Sequence, residues 1–218
     1  SWDAPENTVS SIRLAWKQHA DAAEFDVHLS RDGQIVVIHD KDTRRVAGVD
    51  RRVADQTLAE LRRLDGGRWK DEKFAGERIP TLAEVLQGVP KGKRMFVEVK
   101  TGPEMLPELD RVLRASKLSP RQTPIISFDR KVIAGVKKPR PDLQAYWIVN
   151  LKPAKGKKAP TAEALVAIAK EIRADGLDLS ASPELTREFA ANVKAAGLKL
   201  YVWTVNDVDV ARRMMEIG

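Results

Sequence analysis

Between residues 95 and 205 the chain alternates short apolar runs with longer amphipathic ones. Residues 95–100, 124–128, 145–149, 176–179 and 198–205 read as strands. The segments between them have helical spacing, over 104–115, 130–136, 161–174 and 182–197. Leu165, Ile168 and Ile172 form one inward stripe, and Leu185, Phe189 and Val193 another. Ser182 with Pro183 behind it predicts the start of the latter helix, and Gly197 its stop. Asn206-Asp207 opens a last helix that reaches Gly218. Repeated β–α units of this length predict a parallel sheet with helices outside it. The first eighty residues differ. Val9, Ile12 and Trp16 share a helical face behind Pro5-Glu6-Asn7-Thr8, with the proline near the first turn. Residues 22–29 and 35–38 read as two strands. Residues 41–80 are charged and irregular, with one capping box at Thr57-Leu58-Ala59-Glu60; a second, Thr81-Leu82-Ala83-Glu84, starts the helix that follows. A hairpin and insertion over about 30–80, set in a single domain spanning 1–218, is the expected organisation.

The polar positions inside residues 22–40 point to a site. Glu24 and Asp26 are two apart on a strand, so their carboxylates share a face, with the backbones about 7 Å apart at ~3.3 Å per residue, close enough for both to reach one cation. Asp32-Gly33 favours a two-residue hairpin turn. That turn pairs Arg31 with Gln34 and places His39 directly across from Asp26. Each residue taken singly has a plainer reading, a solvent-facing acid or a structural histidine. Two inward carboxylates without a cation or base to offset them would be costly, which favours a site. Glu98 and Lys100 share a face at the end of the 95–100 strand, although a surface ion pair would give the same spacing.

Composition narrows the classes. The 218 residues suffice for one large domain, and 43% hydrophobic content supports a substantial core. A net charge of +7 favours anionic partners without choosing among nucleic acid, lipid headgroups and small phosphodiesters. The absence of cysteine excludes thiol and disulfide chemistry. No apolar run approaches the ~20 residues of a membrane span, so no stable membrane insertion is expected. The compartment and oligomeric state stay open, with a soluble, extracytoplasmic protein the favoured expectation.

Pro5-Glu6-Asn7-Thr8, Glu24-x-Asp26, Asp32-Gly33-x-x-Val36-Val37-x-His39-Asp40 and Glu98-Val99-Lys100 together resemble the glycerophosphodiester phosphodiesterases, from the first residues to the last. The resemblance implies an α/β fold, the TIM (β/α)8 barrel, with its site at the C-terminal ends of the strands. It implies Glu24, Asp26 and Glu98 as ligands of one divalent cation, an all-oxygen set suited to Mg2+ or Ca2+ rather than zinc. It makes His39 an acid–base residue and Lys100 an electrostatic stabiliser, hydrolysing a small-molecule glycerophosphodiester to glycerol 3-phosphate and an alcohol. Glu6 and Asn7 match the loop after the barrel's first strand and are expected to orient ligands, with shaping of the helix start the alternative. Trp203, in a run that resembles a family motif, and Phe128 are assigned to substrate binding, with barrel packing the alternative. His28 shares the parity of the acids but reads as a structural or substrate-loop residue, and His19 as a surface one. The basic stretch 152–158 reads as a solvated loop, with substrate attraction the alternative.

The family's first histidine stands in a His-Arg-Gly run that this sequence does not contain. Six parallel strands are expected, so the chain reads as a barrel lacking its first and last strands, of little activity alone and prone to aggregate. A non-catalytic phosphodiester- or anion-binding barrel is therefore the principal alternative. Nucleic-acid binding has charge in its favour but no motif.

Overall fold

The computed structural model describes residues 2–153, 155–156 and 158–218. Contacts divide the chain into two units, Ser1–Ile125 and Ile126–Gly218.

The first unit opens with helix α1 (Val9–Lys17), entered through Thr8, whose side chain accepts from the Ser11 amide in a reciprocal capping box. Pro5 lies before the cap rather than in the first turn, and its carbonyl accepts the Thr8 hydroxyl at 2.8 Å. Strand β1 (Ala22–Leu29) follows, then β2 (Ile35–Val37), the turns of helix α2 (Arg44–Ala47) and α3 (Leu58–Leu61), helix α4 (Leu82–Leu86), strand β3 (Arg94–Val99) and helix α5 (Leu106–Ala115). The strand order is β2-β1-β3, with β1 antiparallel to β2 and parallel to β3. The Thr57 and Thr81 capping boxes both form. The stretch between β2 and α4 carries more structure than one helix. It adds α2 and two 3-10 turns, and its Val46, Val53, Leu61 and Ile79 pack on Val36 and Ile38 as a small core of their own.

The hairpin corrects the expected register. Val27 pairs with Val37, His28 with Val36 and Leu29 with Ile35. The loop therefore holds three residues, Arg31, Asp32 and Gly33, and Gly33 takes the left-handed position at φ +75°. The side chains decide this. Asp32 accepts from the Ser30 hydroxyl (2.7 Å) and from the Leu58 amide (2.9 Å), while Ser30 Oγ accepts the Gln34 amide (2.9 Å). Ile38, not His39, is then opposite Asp26, its amide donating to the Asp26 carbonyl at 3.0 Å.

In the second unit β4 (Ile125–Ser127, beginning one residue earlier), helix α6 (Arg130–Lys137), β5 (Ala145–Val149), α7 (Ala162–Glu171), β6 (Gly176–Ser180), α8 (Arg187–Ala195), β7 (Lys199–Trp203) and α9 (Val208–Ile217) alternate. The strand order is β4-β5-β6-β7, with β5, β6 and β7 parallel. Helix α8 begins later than its Ser182-Pro183 signal suggests. Ser182 closes only a turn, accepting the Leu185 amide at its carbonyl, and Thr186 is the cap, its hydroxyl accepting from Phe189. Inside this unit Lys137 is buried. Its ammonium donates to the carbonyls of Pro141 (2.9 Å) and Leu143 (2.8 Å) and pairs with Asp175 at 2.9 Å. The basic stretch 152–158 includes Ala154 and Lys157, which lie outside the described residues. Among the described residues no helix is long and apolar enough to cross a membrane.

Candidate active site

The parallel register sets Asp26 directly beside Glu98, and Glu24 shares their face two residues earlier. One oxygen from each of Glu24, Asp26 and Glu98 lies within 4.8 Å of the others. Glu24 is exposed, Asp26 buried and Glu98 between the two. Lys100, just past the end of β3, places its ammonium 2.9 Å from Glu98 and 3.2 Å from Asp26. Its backbone amide donates a hydrogen bond to the Val27 carbonyl at 3.1 Å.

Two of these carboxylates, Asp26 and Glu98, lie against the Lys100 ammonium, and burial and pairing together shift the titration of Glu98 and Lys100. Burial raises the Glu98 carboxyl above its ordinary range, against the opposing hydrogen bond from Lys100. For Lys100 burial acts downward, but the bond to Glu98 and the charge of Asp26 outweigh it and hold the ammonium above its ordinary value.

Asn7 meets Asp26 twice. Its Nδ2 donates to Asp26 Oδ2 at 2.9 Å, and its Oδ1 accepts the Asp26 amide at 2.9 Å. It reaches both from a left-handed backbone at φ 57°, a conformation asparagine tolerates better than most residues. Glu6, beside it, pairs with Arg45.

His39 follows the end of β2, where the chain bends, and its side chain is half exposed. The register that would have put it opposite Asp26 is absent. Even so, it lines one cavity of about 600 Å³ with Glu6, Asn7, Glu24, Asp26, Asp40 and Arg45. The bend after Val37 brings it there. Its Nδ1 is 2.8 Å from Asp40 Oδ1. Asp40 in turn accepts from Arg45 Nε at 2.7 Å, and this bond first, with the His39 contact adding to it against burial, pushes the Asp40 carboxyl down to about 2. An ionised carboxylate only accepts, so the proton of this contact sits on Nδ1 and Nε2 is the nitrogen left for exchange. Sequence reasoning gave Asp40 and Arg45 no role. The available signals were the acid adjoining His39 and an arginine five residues further on.

His28 shares the parity of the acids, yet its ring is buried and its Nε2 lies 3.1 Å from the His39 carbonyl. Burial lowers its pKa, with that contact opposing, so the neutral ring donates from Nε2. His19 is exposed.

In the second unit Phe128 and Trp203 form an edge-to-face pair with centroids 5.6 Å apart. Phe128 is half exposed, and Trp203 Nε1 donates to the Asp178 carbonyl at 3.1 Å. Trp147 donates to the Phe128 carbonyl, and the Arg130 guanidinium lies 4.6 Å from its ring.

Comparison with known proteins gives one answer. The family model for the glycerophosphoryl diester phosphodiesterase family matches residues 1–218. A glycerophosphodiester phosphodiesterase of Caldanaerobacter subterraneus subsp. tengcongensis is 34% identical over all of this chain and 87% of its own length. One from Bacillus subtilis is 31% identical over 98% of this chain and 76% of its own. Among solved structures, an Oleispira antarctica phosphodiesterase in complex with the product sn-glycerol-3-phosphate superposes with a TM-score of 0.90 at 28% identity, covering all of this chain and 86% of that one. The fold class is accordingly α/β, that of the family's TIM barrels. The chain thus belongs to the glycerophosphoryl diester phosphodiesterase family, a family of enzymes.

Proposed function

We propose that the protein hydrolyses glycerophosphodiesters to glycerol 3-phosphate and an alcohol, with one divalent cation held by Glu24, Asp26 and Glu98. The observation that carries this reading is the convergence of three carboxylates within 4.8 Å of one another, beside Lys100, in a chain of this family. The named activity of the relatives and the product bound in the Oleispira antarctica enzyme support the substrate class. The donor set fits a hard cation. It is all oxygen, and its surplus negative charge is what a dication would neutralise. When bound, Mg2+ or Ca2+ supplies Lewis-acid chemistry to a phosphoryl oxygen and the neighbouring hydroxyl.

The remaining roles fall to the chain's own groups. Lys100, held between Asp26 and Glu98, offsets charge that builds on the phosphoryl oxygens. His39 moves a proton at Nε2, its other nitrogen being committed to Asp40. Asn7 fixes the carboxylate plane of Asp26. Phe128 and Trp203, assigned to substrate binding by the resemblance, form an edge-to-face aromatic pair.

Two measurements test the reading. Calorimetric titration with Mg2+ and Ca2+ is expected to show one site in the wild type, with affinity lost in Glu98→Gln. Equal affinity in both would remove Glu98 from the ligand set. With glycerophosphocholine as substrate, His39→Ala is expected to lower kcat by about 10²–10⁴ while leaving metal affinity nearly unchanged. Wild-type turnover by that variant would end the acid–base assignment.

A further inference from the structure

His39 is exposed and lies outside the strand ladder, so something other than β-pairing must hold its imidazole. Asp40 is its partner, but Asp40 sits on the same bend and is no better anchored by its backbone. The anchor comes from further along the chain. Arg45 grips Asp40 with two nitrogens, Nε to Oδ2 at 2.7 Å and Nη2 to Oδ1 at 3.2 Å, and Nη2 also pairs with Glu6. A planar guanidinium that meets a carboxylate edge-on fixes its orientation as well as its charge.

Arg45 is itself held on both sides. It belongs to α2, whose entry residue Thr43 is fully buried, donates to the Val49 carbonyl at 2.8 Å and accepts from Gln56 Nε2 at 3.2 Å. Across its face lies the Trp69 ring, 5.2 Å from the guanidinium carbon. Trp69 is carried by a loop that Asp65 closes through the amides of Gly67, Arg68 and Gly76. Glu77 ties the end of that loop to Ser10 of α1.

We propose that Arg45 is a positioning residue for the reaction: the segment between β2 and α4 delivers its guanidinium, with Trp69 stacked on it, to lock Asp40 against His39 and tie both to the Glu6 loop. The proposal rests on the acid–base role given to His39 above. It assigns the insertion a share in turnover, through a residue that touches neither the three carboxylates nor Lys100 in any contact described for it.

A double-mutant cycle in the full-length enzyme tests it, with glycerophosphocholine as substrate and Ca2+ affinity measured alongside. Arg45→Met is expected to lower kcat about 10–100-fold, the usual scale for residues that orient a catalytic group, with KM and Ca2+ affinity within twofold of wild type. Arg45→Lys, which keeps the charge but not the planar fork, is expected to recover only part of the loss. Trp69→Leu is expected to fall in the same direction by less. In a His39→Ala background, Arg45→Met is expected to have no further effect on kcat, because the two act as a unit. A full additional loss in that background would show that Arg45 acts elsewhere and would overturn the proposal. So would unchanged kcat in Arg45→Met, or a fall in Ca2+ affinity that matches the fall in kcat. If His39→Ala itself turns over normally, the acid–base assignment fails first, and this inference with it. If Arg45→Met does not fold, the Arg45→Lys and Trp69→Leu pair carries the same cycle.

Discussion

Two side chains in this site are satisfied so completely that their removal should be read as a loss of orientation. Asn7 supplies both a donor to the Asp26 carboxylate and an acceptor for the Asp26 amide. Asn7→Ala is expected to weaken divalent-cation binding about 10–100-fold, the scale for groups that orient a metal ligand, while far-ultraviolet circular dichroism stays native. Calorimetry with Mg2+ checks it, and unchanged affinity would mean that Asp26 needs no such support. Asp40 carries a stability signature as well. Its folded pKa of about 2 lies below the ordinary aspartate value, chiefly because of Arg45. Its contribution is therefore present above about pH 4 and lost as pH falls towards 2. Discounted for solvent screening of this partly exposed pair, the shift corresponds to about 1 kcal/mol. Urea denaturation of wild type and Asp40→Asn is expected to show a gap of that order at pH 6 that closes by pH 2; a gap independent of pH would remove the ionised pair as its source.

At the scale of elements, the hairpin and the loop behind it show how side chains choose backbone geometry. Asp32-Gly33 favours a tight turn in isolation, but Ser30 and Leu58 both engage Asp32 and the loop widens by one residue. A strand slipped by one residue presents the opposite face. Here β2 ends at Val37, before that reversal reaches the site, and the bend that follows returns His39 to the cavity. The Asp65-closed loop has a steric requirement of its own. A Cβ on Gly67 would stand 2.2 Å from the Phe74 carbonyl oxygen and 2.6 Å from Glu77 Cβ. Gly67→Ala is therefore expected to open this loop, seen as faster hydrogen exchange at Gly76, and to lower kcat with it if Trp69 stacks as described. Exchange at wild-type rates would show that the loop tolerates the methyl group.

At the scale of the whole molecule, each unit carries its own buried apolar residues, and the second also holds a buried polar clamp. In the second unit that clamp is Lys137 with Asp175, which also accepts the Ala145 amide at 2.7 Å. Asp175→Ala leaves a buried ammonium with two carbonyls alone and is expected to cost about 3 kcal/mol in chemical denaturation. A loss below 1 kcal/mol would mean that those carbonyls suffice.

The sequence by itself determined the alternation of strands and helices, the shared face of Glu24 and Asp26, and the family. These depend on periodicities of 2 and 3.6 residues and on short motifs, which are local properties. Strand parity groups Glu24 with Asp26 without knowledge of the rest of the chain, whereas Glu98, on another strand, joined them through the family resemblance, and the pairing of β1 with β3 sets it beside Asp26. Tertiary structure decided what no local rule contains. The Leu58 amide, 26 residues from Asp32, helps set the hairpin register. Asn7 reaches Asp26 across 19 residues, and Arg45 reaches Glu6 across 39. Helix α8 starts at Thr186 rather than Ser182 because Leu185 is buried in the turn between them and the Thr186 hydroxyl is placed to cap Phe189. For the hairpin and for the start of α8, two local signals were compatible with the sequence. A partner distant in the chain, or the burial of one side chain, selected between them.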